Sequence, residues 1–523
     1  MLAIVIQKSP MIDWHAFAPE VVIIIGALTI LIADLFLKKR SSWKTSNIAA
    51  LTFLVALIPV ITLAIDGTNR SMFGGSYIVD NQALAFKAFF LVGAYISVLL
   101  SGDYIREGDY FQAEFWFLLT MSVLGMSTLS SSRDLISLFV SIETVTIPTF
   151  VLASWRKRDL KSNEAGIKYY LIGVMSSAIM LYGMSFVVGF VGSTKFVDIQ
   201  KYFYGNNIPI LAHLAVIFTV IGFAFKISSV PFHQWTPDVY EGAPTPVTAF
   251  LSVLSKGAGF VGILALGQYA FLNEREIWMP ILSVMVVASL IIGNFAALKQ
   301  TNIVRMLAYS SIAQGGFILL PIALLGYGDN SKTSTLGTNE FFNSAVQSTY
   351  IYLAIYLFAN LGAFASIIAI SRRINSGDIA KYNGLGRREP FLSLMLTIFL
   401  FSLAGVPPLA GWFAKFVMFK AALEINSVAS ITLAIVAAVT SVVAFTYYAG
   451  IIKRMWLEDP AELDLFDQPE TSEGSLLLAD KKSTVVITPA LRVAIVLCAG
   501  VTILLGFFPG IIARVGELIV LVK

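Results

Sequence analysis

Apolar residues in this chain form long runs, separated by short polar segments, along nearly the whole length of 523 residues. A helix needs about 20 consecutive apolar residues to cross the hydrocarbon core of a bilayer, so each run predicts one membrane-spanning helix. The runs give about 14 such helices and predict an all-α integral membrane protein. The predicted spans lie near 18–37, 47–66, 81–101, 112–131, 134–154, 164–192, 209–235, 243–271, 277–297, 302–326, 345–371, 391–421, 429–455 and 489–520.

Basic residues are concentrated in alternate loops between these spans, which predicts the orientation of the chain. The loops expected on the cytoplasmic side contain Lys38, Lys39, Arg40, Lys44, Arg156, Lys157, Arg158, Lys161, Arg372, Arg373, Lys381, Arg387, Arg388, Lys453, Arg454, Lys481 and Lys482. The opposite loops contain scattered charges at Arg70, Arg133, Lys195, Lys201, Arg275 and Lys332. Both termini are therefore expected outside the cytoplasm.

The composition supports the membrane assignment and argues against a redox centre within the chain. Hydrophobic residues make up 57% of the sequence and charged residues only 13%. The single cysteine, Cys498, excludes disulfide frameworks and cysteine-ligated clusters, and the three histidines are scattered. We therefore expect no cofactor in this chain and no nucleic-acid partner.

Two proline-interrupted spans indicate an internal repeat. The segments FAFKISSVPFHQWTP and FSLAGVPPLAGWFAKF are both apolar, both contain proline near mid-depth, and both have a lysine close to the break. Because proline removes a backbone donor, such breaks are tolerated where they line a polar cavity. The predicted organisation is 1–111 for three N-terminal helices, 112–271 and 272–455 for two five-helix repeats, 456–488 for an acidic loop and 489–523 for a C-terminal helix.

Five ionisable side chains lie deep inside the predicted spans, where nearly every neighbour is hydrocarbon. A charged side chain at the bilayer centre costs about 2.5–3.5 kcal/mol on insertion scales, so such residues are rare and usually functional. The pattern predicts a path for protons or cations through the membrane. The five residues are Glu143, Lys168, Lys226, Lys256 and Lys415.

Lys226 and Glu143 are the central members of this set. Lys226 precedes Pro231 by five residues, and its burial favours release of a proton, which a nearby Glu143 would oppose by holding the lysine charged. A change in their separation would then move a proton. The alternative is a static ion pair that fixes helix packing, although burying charges for packing alone seldom stabilises a protein.

The remaining candidates have competing interpretations. Ser252, Ser255 and two glycines around Lys256 suit either a proton relay or a close helix interface. Lys415 follows two prolines, whereas Lys168 is near a helix end, where snorkelling to the headgroups is equally reasonable. His233 is either a relay between Lys226 and Lys256 or a structural residue, and Asp238 and Glu241 are interpreted as solvated loop acids.

Four segments carry a resemblance to a known family. They are HQWTPDVYEGAPTPVTAFLS, KRDLKSNEAGIKYYLIGVMSSAIMLYG, RMLAYSSIAQGGF and LAGVPPLAGWFAKF. These segments resemble the N subunit of bacterial respiratory complex I, a family that includes mitochondrial NADH dehydrogenase subunit 2 and the photosynthetic B subunit. The resemblance covers about residues 18–455, and the DVYEGAPTPV ending is similar to the N type rather than the related L and M types.

The resemblance implies a 14-helix antiporter-like fold with two inverted five-helix repeats and two broken helices. It implies proton translocation along a central polar axis, with the family positions falling on Glu143, Lys168, Lys226, His233, Lys256 and Lys415. NADH, FMN, iron–sulfur clusters and quinone are then expected in partner subunits, and M-type and K-type membrane subunits as neighbours. The expected location is the bacterial inner membrane, or the thylakoid in a photosynthetic source. Gln314 departs from the family, since many relatives place histidine there.

Two further functions stay open at this point. A secondary Na⁺ or K⁺/proton antiporter subunit would favour carboxylates in the spans, because hard cations prefer oxygen ligands. The predominance of lysine favours protons instead. A purely structural scaffold would use the buried charges only to pack helices.

Overall fold

The computed structural model describes residues 12–36, 42–107, 113–205, 208–325, 340–374, 376–459 and 487–520. Several predicted features lie outside these ranges. They are the acidic loop predicted at 456–488, apart from its ends, and the basic residues Lys38, Lys39, Arg40, Lys332, Lys481 and Lys482.

Helices make up nearly all the regular structure of the described ranges, which confirms the predicted fold class. Their bounds are α1 Ala18–Phe36, α2 Ser42–Asp66, α3 Asn81–Glu107, α4 Ala113–Ser131, α5 Leu135–Ala153, α6 Leu160–Val191, α7 Phe196–Phe203, α8 Ile210–Lys226, α9 Trp235–Gly242, α10 Thr245–Phe250, α11 Lys256–Ala265, α12 Arg275–Ala297, α13 Ile303–Ala323, α14 Glu340–Ile374, α15 Leu385–Arg388, α16 Pro390–Ala404, α17 Ala410–Ile425, α18 Val428–Leu457, α19 Pro489–Phe507 and α20 Gly510–Val520.

Twelve helical segments of the described ranges are long and apolar enough to cross a membrane. Two further spans are each split into two shorter helices, α8 with α9 and α16 with α17. Together these give the 14 predicted spans. Helix α8 ends at Lys226, and α9 begins only after Pro231; α16 ends at Ala404, and α17 begins after Pro407 and Pro408. Each break therefore falls where proline removes a helical hydrogen bond.

The order of the spans is consistent with two inverted repeats. Counted along the chain, α4 is the fourth span and α12 the ninth, so the two groups of five that they open run in opposite directions. In both groups the broken span is the fourth. The exact division of the chain at 111, 271 and 455 stays a prediction.

Three spans near the centre are almost wholly enclosed by other helices: Thr245–Ala270, Ile303–Ala323 and Asn343–Ile374. The first of these contains two π-helical turns, Leu251–Ser255 and Leu266–Ala270, on either side of α11. Such wider turns are rare and often occur at functional sites. Lys256 follows directly after the first of them, so the lysine stands at a local change of helical pitch.

Two small elements were not predicted from the hydrophobic pattern. Strands β1 (Arg70–Met72) and β2 (Tyr77–Val79) form an antiparallel hairpin between α2 and α3. The short helix α7 follows α6. Both are too short to produce an apolar run, and both lie on the side opposite to the predicted cytoplasmic loops.

Candidate functional site: buried lysines beside two broken helices

Lys226 is buried at the end of α8, where its ammonium nitrogen contacts hydroxyl groups. Nζ donates to Thr146 Oγ1 at 2.9 Å and to Tyr169 OH at 3.3 Å, and only 3% of the residue is exposed. The neighbouring helix approaches closely, since a Cβ placed on Gly259 of α11 would lie 3.2 Å from Lys226 Cβ. The first break is therefore packed directly against the helix that contains Lys256.

Glu143 lies one turn before Thr146 on α5 and does not pair with Lys226. Ser177 Oγ donates to Glu143 Oε1 at 2.5 Å, and the residue is half-buried. Among the described residues, no ion pair within 4 Å joins Glu143 to Lys226. The direct interaction between Glu143 and Lys226 that the sequence predicts is absent in this conformation. The hydroxyls of Thr146 and Tyr169 bind Lys226 instead.

Lys256 is the most enclosed member of the set. Its Nζ donates to the backbone oxygen of Ser311 at 3.0 Å and to Ser311 Oγ at 2.8 Å, and it lies 5.8 Å from the centre of the Tyr240 ring. Lys256 is 2% exposed. The serine belongs to α13, so the central lysine is held by the first of the two neighbouring enclosed spans.

Lys415 lies at the second break and binds a carbonyl that the break sets free. Nζ donates to Ala404 O at 2.8 Å and lies 4.9 Å from the centre of the Phe317 ring. Ala404 is the last residue of α16, so its carbonyl has no partner within its own helix. The lysine replaces the missing helical donor and thereby links the two halves of the broken span.

Gln314 connects the middle of the site to the second break. Its Nε2 donates to Leu403 O at 3.0 Å, and its Oε1 accepts from Tyr352 OH at 2.7 Å. Gln314 follows Ser311 by one turn of α13, so the same helix contacts Lys256 and the segment next to Ala404. The sequence shows Gln314 only as a position where many relatives have histidine, and the polar SSIAQ segment is the available signal for its role.

Aromatic rings fill the space between Lys226 and Lys256. The Tyr169 and Trp235 rings stack with centres 4.5 Å apart, and Trp235 meets Tyr240 edge-on at 6.3 Å. Tyr169 contacts the first lysine and Tyr240 the second. His233 lies close by in the break, but the described residues include no hydrogen bond from His233 to either lysine. Its relay role stays a prediction.

Lys168 lies at the predicted cytoplasmic edge and belongs to a charged cleft. Its Nζ bonds Asp238 Oδ2 at 2.6 Å and Glu164 Oε1 at 2.7 Å, while Arg305 bonds Asp238 at 2.8 Å and Glu241 at 3.0 Å. The cleft holds about 180 Å³. Asp238 and Glu241 are therefore not solvated loop acids, as the sequence suggested: they lie on helix α9 and are paired with bases.

These features define the class of protein. Two broken helices at equivalent places in inverted repeats, each with a buried lysine, are typical of membrane proteins that transport ions or protons.

Comparison with known proteins agrees with this class. Residues 132–442 match the family described as NADH:quinone oxidoreductase/Mrp antiporter, TM. NAD(P)H-quinone oxidoreductase subunit 2 of Gloeobacter violaceus is 39% identical over 447 residues, which cover 85% of this chain and 82% of the relative. The protein of the same name from Synechococcus elongatus is 39% identical over 456 residues, covering 87% and 84%. The chain belongs to the NADH:quinone oxidoreductase/Mrp antiporter family of membrane subunits.

Solved structures show the same architecture. A chain of respiratory complex I from Thermus thermophilus, solved with bound aureothin, superposes with a TM-score of 0.72 at 27% identity, covering 95% of this chain and 98% of that one. A chain of the Mrp complex from Dietzia sp. gives 0.80 at 17% identity, with 97% of each chain covered, and supports the fold alone. The resemblance drawn from the four sequence segments is confirmed.

Proposed function

We propose that this chain moves protons across the membrane as an antiporter-like subunit of a complex I type oxidoreductase. The redox chemistry belongs to partner subunits, which would hold NADH or another donor, FMN, iron–sulfur clusters and quinone. Proton transfer would use Glu143, Lys226, His233, Lys256 and Lys415, with Lys168 at the cytoplasmic entrance. The support for the complex I assignment is the identity to the two NAD(P)H-quinone oxidoreductase subunits.

The observation that carries the proton assignment is the neutral surroundings of the three axis lysines, Lys226, Lys256 and Lys415. Each binds hydroxyl or carbonyl oxygens, and none forms an ion pair with a carboxylate of the described residues. The Thr146 and Ser311 hydroxyls donate their own protons to backbone oxygens of their helices and accept from the lysines, and a neutral amine keeps two N–H bonds that can donate to the same oxygens. Lys226 and Lys256 therefore have partners in both protonation states, as a proton carrier needs.

The energy scale of the site suits proton pumping. Moving one charge against 100 mV requires about 2.3 kcal/mol. A hydrogen bond to a charged group contributes about 1.5–3 kcal/mol. Making or breaking one such contact therefore changes the free energy of the charged lysine by a comparable amount. Small rearrangements at the two breaks are then sufficient to load and unload the lysines.

The alternative, a Na⁺ or K⁺/proton antiporter subunit, has weaker support. Hard cations prefer several oxygen ligands with negative charge, and the axis presents amines instead. Replacing Na⁺ and K⁺ by a large organic cation in the assay buffer tests this alternative. Proton translocation that stops under this exchange would favour the antiporter.

Replacement of the axis lysines tests the proposal directly. In the complete complex reconstituted into vesicles, Lys226→Met, Lys256→Met and Lys415→Met are each expected to lower the protons moved per electron at least twofold. Lys420→Met is the matched control, because Lys420 lies on the same helix as Lys415 with 58% of its side chain exposed. Translocation equal to that of the unaltered complex in all three variants would refute the proposal.

A further inference from the structure

A pair of buried charges lies outside the axis, in the N-terminal helices. Lys87 Nζ of α3 and Glu20 Oε1 of α1 are 2.8 Å apart, and both side chains are 0% exposed. Among the ion pairs of the described residues, this is the one in which both side chains are fully buried. Burying such a pair seldom adds stability compared with apolar residues of the same size, so its presence asks for another explanation.

The surroundings of the pair are polar but incompletely satisfied. Ser127 Oγ of α4 donates to Glu20 Oε1 at 2.6 Å, and Lys87 Nζ also donates to Tyr77 OH at 3.0 Å. The second carboxylate oxygen, Glu20 Oε2, is buried and has no hydrogen-bond partner in the described part of the chain, and neither has the hydroxyl of Ser131, one turn beyond Ser127. Glu20 Oε2 is therefore a buried acceptor that is left open to a further donor.

The pair lies near one membrane face. Glu20 and Lys87 follow the starts of α1 and α3, and Ser127 precedes the end of α4, so all three lie within about 9 Å of helix ends on one side. This side is opposite to the predicted cytoplasmic loops. Helix α4 also packs against α5, where Ser122 Oγ donates to Val145 O at 3.1 Å. The pair is thus one helix away from the segment that contains Glu143 and Thr146.

The hairpin β1–β2 covers the pair on the outer side. Tyr77 of β2 is surrounded by Phe17 and Phe73, with ring centres 5.8 Å and 6.3 Å from its own. The turn of the hairpin places Phe73, Gly74 and Gly75 in succession at positive φ, from +52° to +92°, a conformation that is uncommon for a bulky residue such as phenylalanine. Tyr77, the two rings that pack on it and the tightly turned hairpin therefore lie on the outer side of Lys87.

We propose that Glu20 and Lys87 form a second proton-exchange site, which passes protons between the protein interior and the outer aqueous face beneath the hairpin. Glu20 Oε2 accepts one proton, and the net charge of the pair rises from zero to plus one. Lys87 stays bonded to Tyr77, and loss of the same proton to the outer solution returns the pair to zero. This inference rests on the proposed function, since it assigns the pair to the outward half of proton transfer.

The variants Glu20→Gln, Lys87→Gln and the double variant test the site in the complete reconstituted complex. Glu20→Gln is expected to lower the protons moved per electron at least twofold and to remove one protonated-carboxyl band from infrared spectra titrated with pH. The double variant leaves no unpaired charge, so it is expected to assemble like the unaltered complex. It is still expected to move fewer protons per electron and to lack the carboxyl band. Glu114→Gln, an exposed carboxylate on α4, is the matched control.

A purely structural pair predicts a different outcome. The single variants would then reduce the amount of assembled complex, while the double variant would move protons at the unaltered ratio, and this result would overturn the inference. Lys256→Met is measured in parallel. If Lys256→Met lowers translocation while the double variant does not, only the second site is refuted; if Lys226→Met, Lys256→Met and Lys415→Met all have no effect, the proposed function itself fails.

Discussion

The three axis lysines show how a single residue type can be held inside a membrane protein without an opposite charge. Lys226 is held by a threonine and a tyrosine, Lys256 by a serine, and Lys415 by a carbonyl from a broken helix. Each partner comes from a different helix than the lysine. A small shift of one helix therefore changes the free energy of the charged amine without breaking an ion pair.

Thr146 offers the sharpest test at this scale. Thr146→Val keeps the shape of the side chain and removes the closer of the two hydroxyls that hold Lys226. Since a hydrogen bond to a charged group contributes about 1.5–3 kcal/mol, we expect at least a twofold decrease in protons moved per electron. The measurement is dye-reported proton uptake in vesicles alongside quinone reduction.

Thr144→Val is the control for this change. Thr144 is on the same helix, and its hydroxyl bonds only to the backbone oxygen of Val140 at 2.7 Å. Equal ratios in the two variants would mean that the hydroxyl of Thr146 does not contribute to proton transfer through Lys226.

Helix α13 is the element that joins the two halves of the site. Its Ser311 contacts Lys256, and one turn later Gln314 contacts Leu403 O, next to the carbonyl that binds Lys415. The helix is almost wholly enclosed by protein. A displacement of α13 would change the contacts around Lys256 and Lys415 together. We therefore expect α13 to couple the two repeats.

Substitution of Gln314 tests this coupling. Gln314→Leu leaves the buried Leu403 carbonyl and the Tyr352 hydroxyl without their partner, at a cost of about 1–3 kcal/mol for each group. We expect a lower thermal midpoint of the purified complex and at least a twofold lower proton-to-electron ratio. Gln314→His retains a donor and an acceptor and is expected to keep most of both. A leucine variant as effective as the histidine variant would contradict the bridging role.

The elements themselves were largely predictable, whereas the contacts between them were not. Apolar runs identify spans because the bilayer fixes their length, and Pro231, Pro407 and Pro408 identify the breaks. The hydrophobic pattern does not reveal which residues of distant spans meet. The contact between Glu20 and Lys87 is therefore seen only in the structure, and Asp238, which the sequence places in a loop, lies on α9.

At the scale of the whole molecule, buried polar contacts tie the N-terminal helices to the first repeat on the outer side. Arg133, between α4 and α5, bonds Asp80 at 2.7 Å, and its guanidinium lies 4.3 Å from the centre of the Tyr269 ring. Three segments far apart in sequence thus meet at one arginine, which is only 5% exposed. Arg133, one of the scattered outer charges in the sequence pattern, therefore holds these three segments together.

Removal of this arginine should destabilise the fold. Arg133→Met leaves Asp80 without its cation, and because Asp80 is 19% exposed and keeps its bond from Ala83 N, the cost is expected below the roughly 3–5 kcal/mol of a fully buried pair. We expect markedly less assembled complex and a lower thermal midpoint by light-scattering or fluorescence melting. Asp80→Asn combined with Arg133→Met is expected to recover part of the loss, since no charge is left unpaired.

Arg106→Met provides the comparison for this variant. Arg106 pairs with Asp103 at 3.2 Å but is 53% exposed, and exposed pairs typically contribute about 0–1 kcal/mol. A similar loss of assembly in Arg106→Met and Arg133→Met would show that Arg133 contributes no more to assembly than an exposed arginine does.

The sequence separation between Lys256 and its partner Ser311 also determines how long the growing chain lacks the acceptor of this lysine. The two residues are 55 positions apart, and all of α12 lies between them. At synthesis rates of about 5–20 residues per second, Ser311 follows Lys256 by about 3–11 s. Throughout that interval the newborn chain contains a lysine whose final acceptor does not yet exist. We therefore expect the central helix to reach its final packing only after α13 has been inserted, because Ser311 supplies both oxygens that bind Lys256.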